Sequence, residues 1–359
     1  METKRIDALQ GLRGFAAVMI FLSHCRFLIC VDGINRLNYL GAGGVSVFLY
    51  LSGFLAAYTV NFKSDDKNFI KTIIGKGVKF YPLHVLTFLL ALPLCIESLL
   101  SYGKEGIATI FGNLLLVQAW IPISKVYFSV NDVSWYLSLF CFLIIVSPWL
   151  TKRINRLQAK TSVYLLFVIF FLETTLFIVT ERLNIGTSFK HWILYVCPLT
   201  RMLDFCGGCL VFNILGSKLV RNNRRMITSI GMILLLVNMI CCAFIHSEFF
   251  STAAWSIPSS MIILGITCFE INEDSSSSTF IRALFNNNAL SWIGSISLEF
   301  FMIHKLVLRY GTEFLHISMN VSIFYRVVFY LGCFIMTSII SFALNKLNHS
   351  LTITVRSRL

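Results

Sequence analysis

The stretch SVYLLFVIFFLETTLFIVTE, residues 162–181, holds one charged side chain, Glu173, before its terminal Glu181. About 20 apolar residues in a helix, at ~1.5 Å each, cross a hydrocarbon core of ~30 Å. Similar stretches lie at 8–30, 43–61, 80–100, 133–151, 193–214, 226–246, 250–269, 288–308 and 322–345. Lipid leaves backbone polar groups unsatisfied, so a spanning chain is either a helical bundle or a closed barrel. The runs are continuous rather than alternating, which selects helices. The expected fold is all-α: a polytopic transmembrane bundle of about ten spans plus one re-entrant or interfacial segment, forming one domain over 1–359.

Composition agrees. The chain is 57% hydrophobic and 13% charged, with mean hydropathy +0.77, whereas a soluble domain is usually about 25% charged. A net charge of +13 would suggest nucleic acid in a soluble protein. Here the basic residues sit in short loops between apolar runs, so topology explains them and no nucleic-acid partner is expected. The first run follows Lys4 and Arg5, contains Arg13 and His24, and is followed by no small-residue cleavage site, so it reads as a retained helix. The 11 cysteines show no metal-ligand spacing. Cys206 and Cys209 form a C-x-x-C inside an apolar run and read as small core residues.

The loops set the orientation. Lys63, Lys67, Lys71, Lys76 and Lys79 follow the second run; Lys152, Arg153, Arg156 and Lys160 follow the fourth; Lys218, Arg221, Arg224 and Arg225 follow the sixth. All three clusters fall on one side only if the ambiguous stretch 107–122 does not cross. By the positive-inside rule that side is the cytoplasm of a plasma (bacterial inner) membrane. Both termini are expected there, with Lys4 and Arg5 at one end and Lys346, Arg356 and Arg358 at the other. Ser275–Ser278 reads as a flexible loop on the same side.

An ionisable side chain deep in a membrane helix costs at least ~2.5–3.5 kcal/mol and is a functional candidate by default. Arg13, His24, Glu173, Arg201, Asp204, Glu299 and His304 are such residues, and interhelical hydrogen bonding is the plain alternative for each. Arg201 and Asp204, three apart, can pair along one helix face, which suits a structural ion pair as well as a catalytic one. Arg13 and His24 are eleven residues apart, almost three whole turns, so they share a face and stand ~16 Å apart along the axis. A guanidinium near the inner mouth suits a phosphate. A histidine further out suits general-base work.

At these residues the sequence resembles the acyltransferase-3 family of multi-pass membrane acyltransferases. RIDALQGLRGFAAVMIFLSHC (Arg5–Cys25) is similar to its first-helix signature, an arginine and a histidine separated by ten residues. GAGGVSVFLYLSGFL (Gly41–Leu55) resembles its Gly-rich second-helix motif. KGVKFYP (Lys76–Pro82) resembles its paired-basic motif, with lysines where arginines are usual. WYLSLFCFLIIVSP (Trp135–Pro148), RMLDFCGGCLVF (Arg201–Phe212) and WIGSISLEFFMIH (Trp292–His304) resemble three later segments. Two positions depart from the pattern: Phe140 stands where many members carry glutamate, and Ser46 where an aspartate is common.

The resemblance implies an enzyme that moves an acyl group, usually acetyl, from cytoplasmic acyl-CoA to a sugar hydroxyl of a cell-surface or exported polysaccharide or lipid-linked saccharide. Acetyl-CoA or another acyl-CoA is then a donor substrate, and no further cofactor or metal is expected. His24 and Arg13 are the expected catalytic pair. Arg13, Lys76, Lys79, Tyr81 and Ser52 are expected at the donor, and Trp135, His304, Glu299 and Arg201 at the acceptor. Plainer readings stand beside these. Lys76 and Lys79 also suit positive-inside anchors, and Tyr81 and Trp135 suit interfacial belt aromatics. Ser52 lacks a nucleophile-elbow context, which favours packing or donor contact and hence direct transfer. Gly41, Gly43 and Gly44 read as a flexible turn that permits close helix approach. Composition and buried charge alone fit a secondary transporter equally well, with Arg13, Glu173, Arg201, Asp204 and Glu299 as substrate or proton sites, although no internal repeat is visible.

Overall fold

A computed structural model describes residues 7–31, 34–62, 69–183, 185–271 and 284–356. Lys4, Arg5, Lys63, Lys67, Ser275–Ser278 and Arg358 lie outside the described residues. The elements are helical apart from a two-residue antiparallel pairing of Cys30–Val31 with Ile34–Asn35. The longer helices are α1 (Asp7–Ser23), α2 (Asn38–Phe62) and α3 (Phe69–Ala91). Short α4 (Ile96–Ser101), α5 (Lys104–Leu114) and α6 (Ser124–Tyr127) follow. Then come α7 (Trp135–Ile154), α8 (Ala159–Arg182), short α9 (Thr187–His191), α10 (Pro198–Ile214), α11 (Lys218–Phe244) and α12 (Ala253–Ile271). The chain closes with α13 (Asn288–Ser295), α14 (Ser297–Phe314) and α15 (Ile323–Arg356).

Among the described residues, eight segments are long and apolar enough to cross a membrane, and α13 with α14 makes a ninth if that bent pair counts as one span. The expected straight helix 288–308 is therefore corrected: it breaks at Ile296 with an 83° bend. Close packing accounts for it. A Cβ on Gly294 would lie 2.0 Å from the Gln10 carbonyl oxygen, and one on Gly14 would lie 1.9 Å from that of Leu290, so α13 is pressed flat against α1. The expected first span 8–30 is also shorter, because the helix of 17 residues ends at Ser23. The Gly-rich turn is a third correction. Gly41, Gly43 and Gly44 lie inside α2, and a Cβ on Gly44 would meet the Ala16 carbonyl at 2.6 Å. The close helix approach is present and the turn is not.

Helices α2 and α12 form the centre, with 78% of each spanning window buried, against 17% for α8 and 22% for α11. The outer faces of α8 and α11 carry exposed Phe167, Phe171, Ile233 and Ile240, as contact with lipid requires. The stretch 107–122 behaves as expected. Helix α5 has 11 residues, too short to span at ~1.5 Å each. His84 Nε2 meets the Asn113 carbonyl at 3.0 Å, and Trp192 Nε1 donates to the Ala119 carbonyl at 2.8 Å. Ile107, Phe111 and Leu115 stay exposed, giving an amphipathic cap across one end of the bundle.

At the opposite end the helix ends that precede the basic loops meet. Asn155, after α7, donates to the Ala57 carbonyl of α2 at 3.0 Å, and Asn213 of α10 donates to the Ile154 carbonyl. Helices α2, α7 and α10 thus end together at one end of the molecule.

Candidate active site

The bend between α13 and α14 brings Ser297 to α1. Arg13 Nη2 donates to the Ser297 hydroxyl at 3.1 Å. Both residues line a cavity of about 290 Å³ together with Lys76 and Lys79 of α3, Ser52 of α2 and Tyr136 and Phe140 of α7. Lys76 and Lys79 are exposed at its mouth and Arg13 is half-buried, so three cations from two helices converge on one opening. Phe48, Leu51, Leu137, Leu298 and Phe301 supply an apolar wall. Three cations of this kind suit the phosphates of an anionic substrate, and the wall suits its apolar portion.

Arg13, Lys76, Lys79 and Ser52 therefore meet as expected. Ser52 donates to its own helix at the Phe48 carbonyl, 2.7 Å away. Tyr81 does not join them. Its ring is 40% exposed and its hydroxyl donates to the Leu114 carbonyl at 3.3 Å, outside the cavity lining. Trp135 is buried against Tyr195, with ring centroids 4.8 Å apart, and its neighbour Tyr136 faces the cavity instead.

Glu299, two residues after Ser297 on α14, does not line the cavity and faces α15 instead. It accepts from Asn345 at 3.2 Å and from Asn348 at 3.1 Å, and Asn348 also donates to the Lys79 carbonyl at 2.7 Å. That arrangement ties α15 to α14 and to the lysine-bearing α3. Arg201 is fully buried. It pairs with Asp204 at 2.9 Å and donates to Ser46 at 3.2 Å and to the Ser251 carbonyl at 3.4 Å. Ser46 hydrogen-bonds Asp204 at 3.5 Å, and Glu173 takes a hydrogen bond from Ser256. This network joins α2, α8, α10 and α12 in the interior, and Arg201 does not line the cavity.

Beyond the cavity, toward the capped end, His24 and His304 meet. His304 Nε2 lies 3.2 Å from His24 Nδ1, with ring centroids 4.9 Å apart. His304 is buried and His24 half-buried. Phe301 stands between the two places: it lines the cavity, and its ring centroid is 5.2 Å from that of Tyr136 and 5.9 Å from that of His304. Sequence reasoning missed Ser297, Tyr136 and the histidine pair. One signal was available: Ser297 and His304 are seven apart, two turns of one helix face, as Arg13 and His24 are spaced by almost three turns in the first apolar run. No group of three or more metal-ligating side chains occurs among the described residues.

Helix α1 thus carries a phosphate-suited arginine at a basic cavity, and the residue immediately past its end at Ser23 is a histidine paired beyond that cavity. Residues 6–346 match the acyltransferase-3 family, whose description is "Acyltransferase domain". The chain belongs to that family. Among curated proteins it is similar to the acyltransferase MdmB of Streptomyces mycarofaciens, 28% identical over 326 residues, covering 86% of this chain and 80% of that protein. No solved structure matches. As an acyltransferase-3 member the chain is a multi-pass membrane acyltransferase, which sets the transporter alternative aside.

Proposed function

We propose that the chain carries an acyl group, acetyl in the first instance, from a cytoplasmic acyl-CoA to a sugar hydroxyl of a cell-surface or exported polysaccharide or lipid-linked saccharide. The observation that carries this reading is the convergence of Arg13, Lys76 and Lys79 on one cavity with an apolar inner wall. The cations hold the phosphates of coenzyme A, and the pantetheine arm lies along the wall with its thioester directed past Phe301 toward His24. The acceptor hydroxyl gives its proton to His24 as its oxygen attacks the thioester carbon. The C–O bond forms, the C–S bond breaks, and the proton passes to the departing thiolate. Residues 62–79, 152–160 and 217–225 and both termini are assigned to the cytoplasmic side of a bacterial plasma membrane, because the basic clusters gather there.

Mass spectrometry of surface glycans from cells with and without the gene tests the acceptor class. Loss of acetyl esters from a polysaccharide is expected on deletion. Unchanged glycan esters, with purified protein still consuming acetyl-CoA in the presence of a non-glycan acceptor, would overturn the polysaccharide assignment.

A further inference from the structure

The hydrogen bonds around the histidine pair fix where each proton lies. His304 Nδ1 is 2.7 Å from the Phe301 carbonyl oxygen and 3.2 Å from that of Phe300. Carbonyls only accept, so this nitrogen carries the proton, and Nε2 of neutral His304 is a lone pair. His24 Nδ1 is 2.9 Å from the Ile20 carbonyl oxygen, 3.3 Å from Ser23 Oγ and 3.2 Å from His304 Nε2. Ser23 already donates its proton to the Ile20 carbonyl at 2.7 Å, so toward His24 its oxygen accepts. Every neighbour of His24 Nδ1 is therefore an acceptor, and Nδ1 is the protonated nitrogen of His24. Nε2 of His24 has no hydrogen-bond partner among the described residues, and its lone pair is free.

We propose that His304 is a positioning residue for transfer: its Nε2 accepts from Nδ1–H of His24 and holds His24 in the tautomer whose Nε2 takes the acceptor proton. This rests on the general-base reading of His24. The arrangement serves two steps. Before transfer it orients the ring and selects the tautomer. During transfer the acceptor O–H bond breaks, an Nε2–H bond forms on His24, and the resulting imidazolium is stabilised by the His304 lone pair and the Ile20 carbonyl. The proton then leaves Nε2 for the coenzyme A thiolate, and His24 returns to its starting tautomer. A second acceptor aimed at the base is the role a carboxylate plays in hydrolase triads, where it orients the imidazole without taking the proton. Here a neutral imidazole does so, which a site buried among Phe21, Phe300 and Phe301 tolerates better than a second charge.

The test uses full-length protein in lipid nanodiscs, radiolabelled acetyl-CoA, and envelope glycan from gene-deleted cells as acceptor. His304→Leu keeps bulk and removes the acceptor atom; kcat is expected to fall ~10²-fold, the lower end of what general-base catalysis supplies, with KM for acetyl-CoA unchanged. His304→Gln places a carbonyl oxygen near the former Nε2 and is expected to restore most of the lost rate. The carbonyl of His304→Asn is too short to reach, so that variant is expected to resemble the leucine one. Equal rates for the glutamine and asparagine variants would overturn the proposal even if the leucine variant fails to insert, as would wild-type kcat in His304→Leu. His24→Gln is measured beside them. An active His24→Gln protein removes the base reading underneath, whereas an inactive one beside an active His304→Leu removes only the role of His304.

Discussion

The Ser297 hydroxyl sits 3.1 Å from Nη2 of Arg13, immediately beyond the 83° bend that separates α13 from α14. A hydrogen bond to a charged group contributes about 1.5–3 kcal/mol, and this one fixes a long side chain at the cavity edge. Ser297→Ala is expected to raise KM for acetyl-CoA by up to ~10² while leaving kcat close to wild type, because a cation that holds phosphate equally in ground and transition states contributes uniform binding. Arg13→Ala should act in the same direction and more strongly. Steady-state kinetics decides: a fall in kcat at constant KM would place Arg13 in the transition state instead.

Lys76 and Lys79 stand exposed at the mouth, so their attraction for phosphate is open to screening. The Debye length shrinks from ~10 Å at 0.1 M salt to ~3 Å at 1 M. Acetyl-CoA affinity is expected to weaken steadily over that range in the wild type and to depend much less on salt in the Lys76→Ala, Lys79→Ala double variant. Titration calorimetry at several salt concentrations measures this. Parallel slopes for the two proteins would leave the lysines as topology anchors only.

Phe301 is the partition between cavity and histidines. Phe301→Trp is expected to slow transfer without weakening acetyl-CoA binding, and Phe301→Ala to raise the rate with longer acyl donors relative to acetyl. Competition between acetyl-CoA and butyryl-CoA reads the ratio. A ratio that does not move in either variant would mean the acyl group reaches His24 by another route.

The buried Arg201–Asp204 pair has the look of architecture. Removing one partner of a buried ion pair costs ~3–5 kcal/mol, whereas replacing both with apolar residues is often neutral. Arg201→Ala and Asp204→Ala are expected to lower Tm markedly, and Arg201→Met with Asp204→Leu to recover much of the loss. Thermal unfolding in detergent gives the comparison. Single variants that melt like wild type but are inactive would return Arg201 to the acceptor site.

Much of this was legible in the chain. Apolar runs of membrane-spanning length announce helices because lipid permits little else, and the eleven-residue spacing of Arg13 and His24 fixes a shared face in any straight helix. What the chain hid depends on rotation and on partners. Trp135 and Tyr136 are neighbours about 100° apart around α7, so hydropathy alone does not say which faces the cavity, and it is Tyr136. The segment 288–308, which carries Glu299, reads from hydropathy as one straight span. The bend at Ile296 comes from contact with α1, which no pattern within that segment encodes. The partners of Glu299, Asn345 and Asn348, lie some fifty residues on in α15. Tyr81 shows the same limit: its motif position suggests a donor contact, and its hydroxyl donates to the Leu114 carbonyl.

His24 carries the chemistry of the proposed reaction, and its environment separates a base from a packing residue. Its Nδ1 is engaged by the Ile20 carbonyl and by His304, so a structural role for the ring is exercised through Nδ1 alone. Nε2 serves no packing purpose among the described residues. Glutamine puts its amide near the former Nε2 and does not accept a proton at neutral pH, while His24→Asn, whose amide lies near the former Nδ1, keeps the structural hydrogen bond as a control. His24→Gln protein is thus expected to insert, to bind acetyl-CoA with an affinity near wild type, and to lose about 10²–10⁴ in kcat, the usual worth of general-base catalysis. Arg13→Ala should give the complementary pattern of weakened donor binding, since Arg13 lies in the cavity and His24 beyond it. Measuring acetyl-CoA binding and transfer on the same preparations separates the two effects. Turnover near wild type in correctly inserted His24→Gln would show that the acceptor hydroxyl loses its proton to some other group, and direct transfer through His24 would have to be abandoned.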